Sequence, residues 1–166
     1  MTSPRAGEAM AAGVLNSLIS APLENTLPPP VTTIALTAAS ALADAMGLNA
    51  TVNGRISRNL ICATENLADH LTHFYLFFMP DFARPAYAGR PWYGAVAKRF
   101  TAVSGEAAAE VLPARAGFLR LMGFLAGRWP HSLAIQPGGS TRAITAGERI
   151  RLLALLRDFR GFVERR

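Results

Sequence analysis

The sequence predicts a mainly α-helical fold, a bundle built around one long central helix. Three observations carry this. Half the residues are hydrophobic, and much of that total is alanine, which favours closely packed helices. Several segments repeat apolar residues at three-and-four spacing. No strand longer than Leu133–Gln136 is discernible. With 166 residues the chain can bury one real core. Only 17% of residues are charged alongside 51% hydrophobic, which excludes a disordered chain.

The first fifty residues read as a lead-in with two short helices and a proline-rich link. Ala6–Ser20 can form one helix, and Pro22, Pro28, Pro29 and Pro30 then hold the chain extended. Thr33–Met46 is the second candidate, ended by Gly47. Residues 51–166 form the main helical domain. Its strongest element is predicted at about Ile56–Met79, where Leu60, Ala63, Leu67, Leu71, Phe74 and Phe78 make one apolar stripe. Arg58, Glu65 and Asp69 fall elsewhere on the wheel. Such a helix is roughly 36 Å long. Phe74–Met79 is apolar all round, so that end is expected to be deeply buried, with Pro80 terminating the helix.

A proline-rich loop follows, and Pro91 suits the first turn of a helix over Trp92–Val103. The next helix is expected from about Glu106 to Gly127. Pro113 starts or kinks it, and its apolar face is Phe118, Leu121, Met122 and Leu125. Trp129–Thr141 reads as an irregular connector. Thr145-Ala146-Gly147-Glu148 is a capping box opening the last helix, with Leu152, Leu155, Leu156, Phe159 and Val163 as its core face.

The net charge of +6 raises the question of an acidic partner. The basic residues are scattered arginines with Lys98 the single lysine, so no nucleic-acid stripe is expected. No stretch reaches the roughly 20 apolar residues of a membrane span. Met10–Leu23 reads as a helix rather than an export signal, which makes the cytoplasm the expected location.

Few residues suggest chemistry. In Asp69-His70-Leu71-Thr72-His73 the two histidines stand three apart and could reach one metal. The favoured reading is two partly buried, hydrogen-bonded structural histidines. Cys62, the single cysteine, sits among apolar helix residues and reads as a small core hydrophobe. Pro137-Gly138-Gly139 lacks the lysine and spacing of a phosphate loop and reads as a tight turn where backbones approach. His131 could be a ligand, a proton carrier or a loop hydrogen bonder.

Arg58-Asn59-Leu60-Ile61 followed by Asp69-His70-Leu71-Thr72-His73-Phe74-Tyr75 resembles the long helix of the nickel–iron hydrogenase large subunit. Trp129-Pro130-His131-Ser132 with Pro137-Gly138-Gly139 is similar to that family's Pro-His and Gly-Gly segment. The resemblance spans about Asn53 to Arg166. Within the family, the wording from His73 to Pro85 looks most like hydrogenase expression/formation proteins of the HupK/HoxV type. By resemblance, Asn59, Asp69, His70, His73, Phe74, Tyr75, Pro130, His131, Gly138 and Gly139 are family-motif positions, here expected to be structural.

The family holds nickel and iron with two cysteine pairs, one near each end of the subunit. Neither pair has a counterpart here, and Cys62 matches neither. The resemblance therefore implies no catalytic residue, no metal and no resident cofactor. It implies an accessory protein for hydrogenase assembly, or else a fragment of a large subunit incomplete at its C-terminus. A metal-free helical interaction module is the third reading. The partners implied are hydrogenase subunits or maturation proteins, such as the small chaperones and the scaffold that carry the iron fragment. An apolar patch exposed on the isolated chain is expected to favour these contacts or self-association.

Overall fold

A computed structural model describes residues 31–129 and 132–165. The expected first helix, Ala6–Ser20, lies outside them, as do Pro130 and His131. The described chain is mainly helical.

Helix α1 is Val31–Ala45. Ala39 and Ala43 are buried one turn apart, and such small side chains let α1 lie close against its neighbours. Its end is a Schellman cap: Leu48 N–H donates to Ala43 O at 2.8 Å, Gly47 N–H to Asp44 O at 3.1 Å, and Gly47 takes φ +66°.

Helix α2, Val52–Thr72, starts at Thr51, whose hydroxyl accepts from Gly54 N–H at 3.1 Å. The column continues as one π-helical segment, His73–Phe78, and a short α3, Met79–Phe82. Pro80 therefore does not end the long helix, contrary to expectation. It sits in the first turn of α3, just after the widened turn, where Met79 N–H bonds back to Phe74 O. The shifted hydrogen-bond register accommodates the missing proline N–H that a regular α-turn would have required.

A 3₁₀ turn, Pro85–Tyr87, leads to α4, Tyr93–Phe100, shorter than the expected Trp92–Val103. The chain turns beyond Thr101, and Val103 takes φ +70°. Gly105 caps the start of α5, Glu106–Leu125, where an added Cβ would lie 2.6 Å from two carbonyl oxygens at the end of α4. Pro113 lies within α5. Strands β1, Ile135–Gln136, and β2, Gly139–Ser140, pair antiparallel across Pro137 and Gly138. Gly138 at φ +78° supplies the left-handed position this turn needs. Helix α6, Ala146–Glu164, begins with the expected capping box, Thr145 and Glu148 bonding each other reciprocally.

The main core lies between α2, α5 and α6. Ile61 and Ala68 meet Phe118, Leu121, Met122 and Leu125, with Leu152 from α6. Phe118 and Phe159 stack with centroids 3.8 Å apart. A smaller cluster of Tyr75, Ala107, Val111 and Phe162 sits beneath the π-helical segment. Phe162, rather than the expected Val163, fills that place. Val163 is exposed, because α6 turns a slightly different face inward near its end.

Candidate functional site

The buried side of α2 is not the predicted leucine stripe. Gly54, Arg58, Ile61, Cys62, Thr64, Glu65 and Ala68 face inward, while Leu60 and Leu67 are only partly buried. Arg58 and Glu65, placed on the outer wheel by the sequence reading, are 8% and 3% exposed. The helix is rotated because its smallest residues must meet other backbones. An ideal Cβ on Gly54 would stand 2.8 Å from Gly139 Cα. The repeat Gly54, Arg58, Ile61, Glu65, Ala68 has the same three-and-four spacing as the leucine stripe, so this face was present in the sequence as a second, more polar candidate.

Each buried polar group has a distinct setting. Trp129 Nε1–H donates to Glu65 Oε1 at 2.8 Å, tying the connector after α5 to the middle of α2. Arg115 lies over the Trp129 ring, 6.0 Å from its centre. Thr64 donates back to Leu60 O at 2.7 Å. Arg58 Nη2 donates to Ser40 Oγ at 3.4 Å, while its Nε and Nη1 are buried without a hydrogen-bond partner among the described residues. Cys62 is fully buried, with Asn66 Nδ2 at 3.8 Å from its sulfur.

The far end of the column is different. His70, His73, Phe74, Phe77 and Phe78 line an open hollow of about 580 Å³. The expectation of deep burial fails here. Phe74, Phe77 and Phe78 are 46%, 63% and 56% exposed, while Tyr75 turns into the core and Leu76 packs partly against the same cluster. In a π-helical turn residues four and five apart lie side by side, so His73 meets Phe77 at 5.6 Å and Phe74 meets Phe78 at 6.3 Å. On the side away from Tyr75, Phe74 packs edge-on to Phe100 of α4 at 6.5 Å and Phe78 edge-on to Phe82 of α3 at 5.2 Å, contacts that cover these rings only in part. Both histidines are exposed, and neither ring has a hydrogen-bond partner among the described residues.

The sequence motifs are thus divided between two places. Gly138 and Gly139 belong to the N-terminal end of α2, and Asp69, His70, His73, Phe74 and Tyr75 to the other end, roughly 28 Å along the axis. Asn59 lies between them, half-buried.

Residues 31–91 match the family described as "Nickel-dependent hydrogenase". The large subunit of the periplasmic [NiFeSe] hydrogenase of Desulfomicrobium baculatum is 30% identical over 134 residues, covering 72% of this chain. The chain is related to the nickel-dependent hydrogenase large subunit. It spans 26% of the length of that relative, about a quarter. The family match begins with α1, which the sequence reading had assigned to the lead-in, and runs through α2 and the hollow.

A nickel–iron centre of the family's kind does not fit the residues present. Soft metal centres of this type are held by thiolates. The sequence offers one thiol, Cys62, buried in the core with Asn66 Nδ2 at 3.8 Å from its sulfur. Among the described residues no three His, Cys, Asp or Glu side chains stand close enough to share a metal ion. Likewise, no helix among them is long and apolar enough to cross a membrane.

Proposed function

We propose that this chain is a hydrogenase expression/formation accessory protein, acting by protein contact in the assembly of a nickel–iron hydrogenase large subunit. The observation that supports this reading is the family match over residues 31–91, which takes in α2 and its histidine–aromatic end, in a chain that carries a single cysteine. Helix α2, its histidine–aromatic end and the glycine turn are built, yet the resembled family uses four thiols and this sequence holds one, Cys62, which is buried and matches neither pair. A body of this kind can bind what a large subunit binds without performing its chemistry. The open aromatic hollow supplies an apolar surface of the sort that marks such contacts. In this reading the chain acts in the cytoplasm, and its partners are hydrogenase subunits or their maturation proteins.

A fragment of a working large subunit is the second reading, favoured by the quarter-length span of the relative. A metal-free docking module without hydrogenase partners is the third. Affinity-tagged chain recovered from cells expressing a complete hydrogenase gene cluster separates them. Co-purification of immature large subunit or maturation proteins, and slower large-subunit processing on deletion, are the expected results. Covalent continuity with a cysteine-bearing segment would instead establish the fragment. Recovery of the chain alone, with hydrogenase activity unchanged on its deletion, would leave the third reading.

A further inference from the structure

The hollow holds two side chains that the accessory role does not use. His70 and His73 are three residues apart at the junction of α2 and the π-helical segment, and both line the same open space. At that spacing two side chains on a helix are neighbours and project the same way. Helical metal sites use the same separation for paired ligands. In this structure neither imidazole is committed elsewhere among the described residues: no hydrogen bond or ion pair engages either ring, and His73 only rests beside Phe77.

That combination differs from a packing histidine. A structural imidazole is buried and spends its ring nitrogens on neighbouring backbone or side chains. These two are solvent-facing, with nitrogens free to coordinate and phenylalanines around them that lower the local polarity. Apolar side chains around such a site lower its local dielectric, while its open side leaves room for water on the ion.

We propose that His70 and His73 form an open two-histidine site for a borderline divalent ion of the zinc or copper(II) type. Imidazole suits such ions, whereas hard cations such as magnesium and calcium prefer oxygen. Two protein nitrogens leave the remaining coordination positions to water or to a donor from another molecule. The site is separate from any thiolate-held centre, and it stands whether or not the accessory reading holds.

Calorimetric titration of tag-free protein with zinc tests it, with copper(II) electron paramagnetic resonance to count nitrogen ligands. One zinc per chain and two coupled nitrogens are expected. His70→Ala and His73→Ala should each weaken binding at least about tenfold, the effect of disturbing a real ligand shell. The double variant should abolish it. His131→Ala should bind as the parent does, which separates this pair from the third histidine. Circular dichroism confirms that the exposed-site variants remain folded. Zinc binding no tighter than about millimolar, affinity unchanged in either single variant, or loss of binding in His131→Ala would each overturn the proposal.

Discussion

The two ends of the long helical column solve opposite problems. At its N-terminal end, two glycines bring backbones together: a Cβ on Gly54 would stand only 2.8 Å from Gly139 Cα. There the hydroxyl of Thr51 caps the helix, α1 lies alongside, and Arg58 is buried with Ser40 as its neighbour. At the other end the helix widens into a π-turn and leaves three phenylalanines and two histidines facing outward. The same helix thus buries charge at one end and exposes aromatic rings at the other. A structure shaped by folding alone would do the reverse, since burying a charged group without full hydrogen bonding is costly and burying phenylalanine is favourable. In the proposed reading the exposed end is the contact surface and the packed end is the scaffold that holds it.

The largest test of this contrast lies at the packed end. Gly54→Ala should destabilise the fold by about 2–3 kcal/mol, because the new methyl would press on Gly139 backbone and on the capping Thr51. Gly123→Ala, in α5, meets nothing within 4 Å. There the same change should stabilise by about 0.5–1 kcal/mol through helix propensity. Denaturant unfolding of the two variants gives both signs. If both shift the same way, the close approach of α2 and β2 is wrong.

Much of this architecture was legible beforehand. The α5 face was read correctly because Phe118, Leu121, Met122 and Leu125 are large, apolar and periodic, and nothing in that stretch competes with them. The capping box at Thr145 was legible because its hydrogen bonds are local. Alpha2 was misread in rotation because two stripes share one period, and side-chain size drew attention to the leucines. The decisive constraint is the distant glycine at position 139, which a helical wheel does not contain. The same limitation explains Phe74–Met79. An all-apolar run says only that water is unfavourable there; what covers it depends on elements elsewhere, and those described cover Tyr75 fully but Phe74, Phe77 and Phe78 only in part. The scattering of the motif residues between the two ends was likewise a three-dimensional fact, invisible to their order along the chain.

An intermediate effect is expected where α6 joins the packed half. Thr145→Ala removes the N-cap and should cost about 1 kcal/mol. Glu148 adds a pH dependence. The backbone N–H of Thr145 is the largest influence, followed by the Thr145 hydroxyl and then Arg142, and together they hold its carboxyl below the ordinary value. A carboxyl lowered in the folded state contributes stability above the usual carboxylate range and loses it as pH falls through the folded value. Melting temperatures followed from about pH 6 down to about pH 3 should therefore fall less steeply in Glu148→Gln than in the parent. An identical slope would remove Glu148 from the acid response.

The smallest effect on stability, and the sharpest on behaviour, is expected at the open end. Phe77 is the most exposed ring of the hollow, 63% accessible, and its ring rests mainly against His73. Phe77→Ser should change stability by no more than about 0.5 kcal/mol, as for a surface position with no buried partner. The apolar area removed lies where a second molecule would sit, so association should respond instead. Sedimentation velocity of parent and variant, with dye binding as a second readout, separates the two consequences. The parent is expected to self-associate and bind an apolar dye, and the serine variant to do both less at nearly the same melting temperature. A fall in melting temperature as large as that of Gly54→Ala would mean that Phe77 is packed within the fold, and the open end would then belong to the same scaffold as the closed one. Unchanged association at unchanged stability would move the meeting surface away from the hollow, to the exposed Ile34, Leu42 and Met46 side of α1. Because those residues lie on another element, Leu42→Ser in parallel decides between the two surfaces in one experiment.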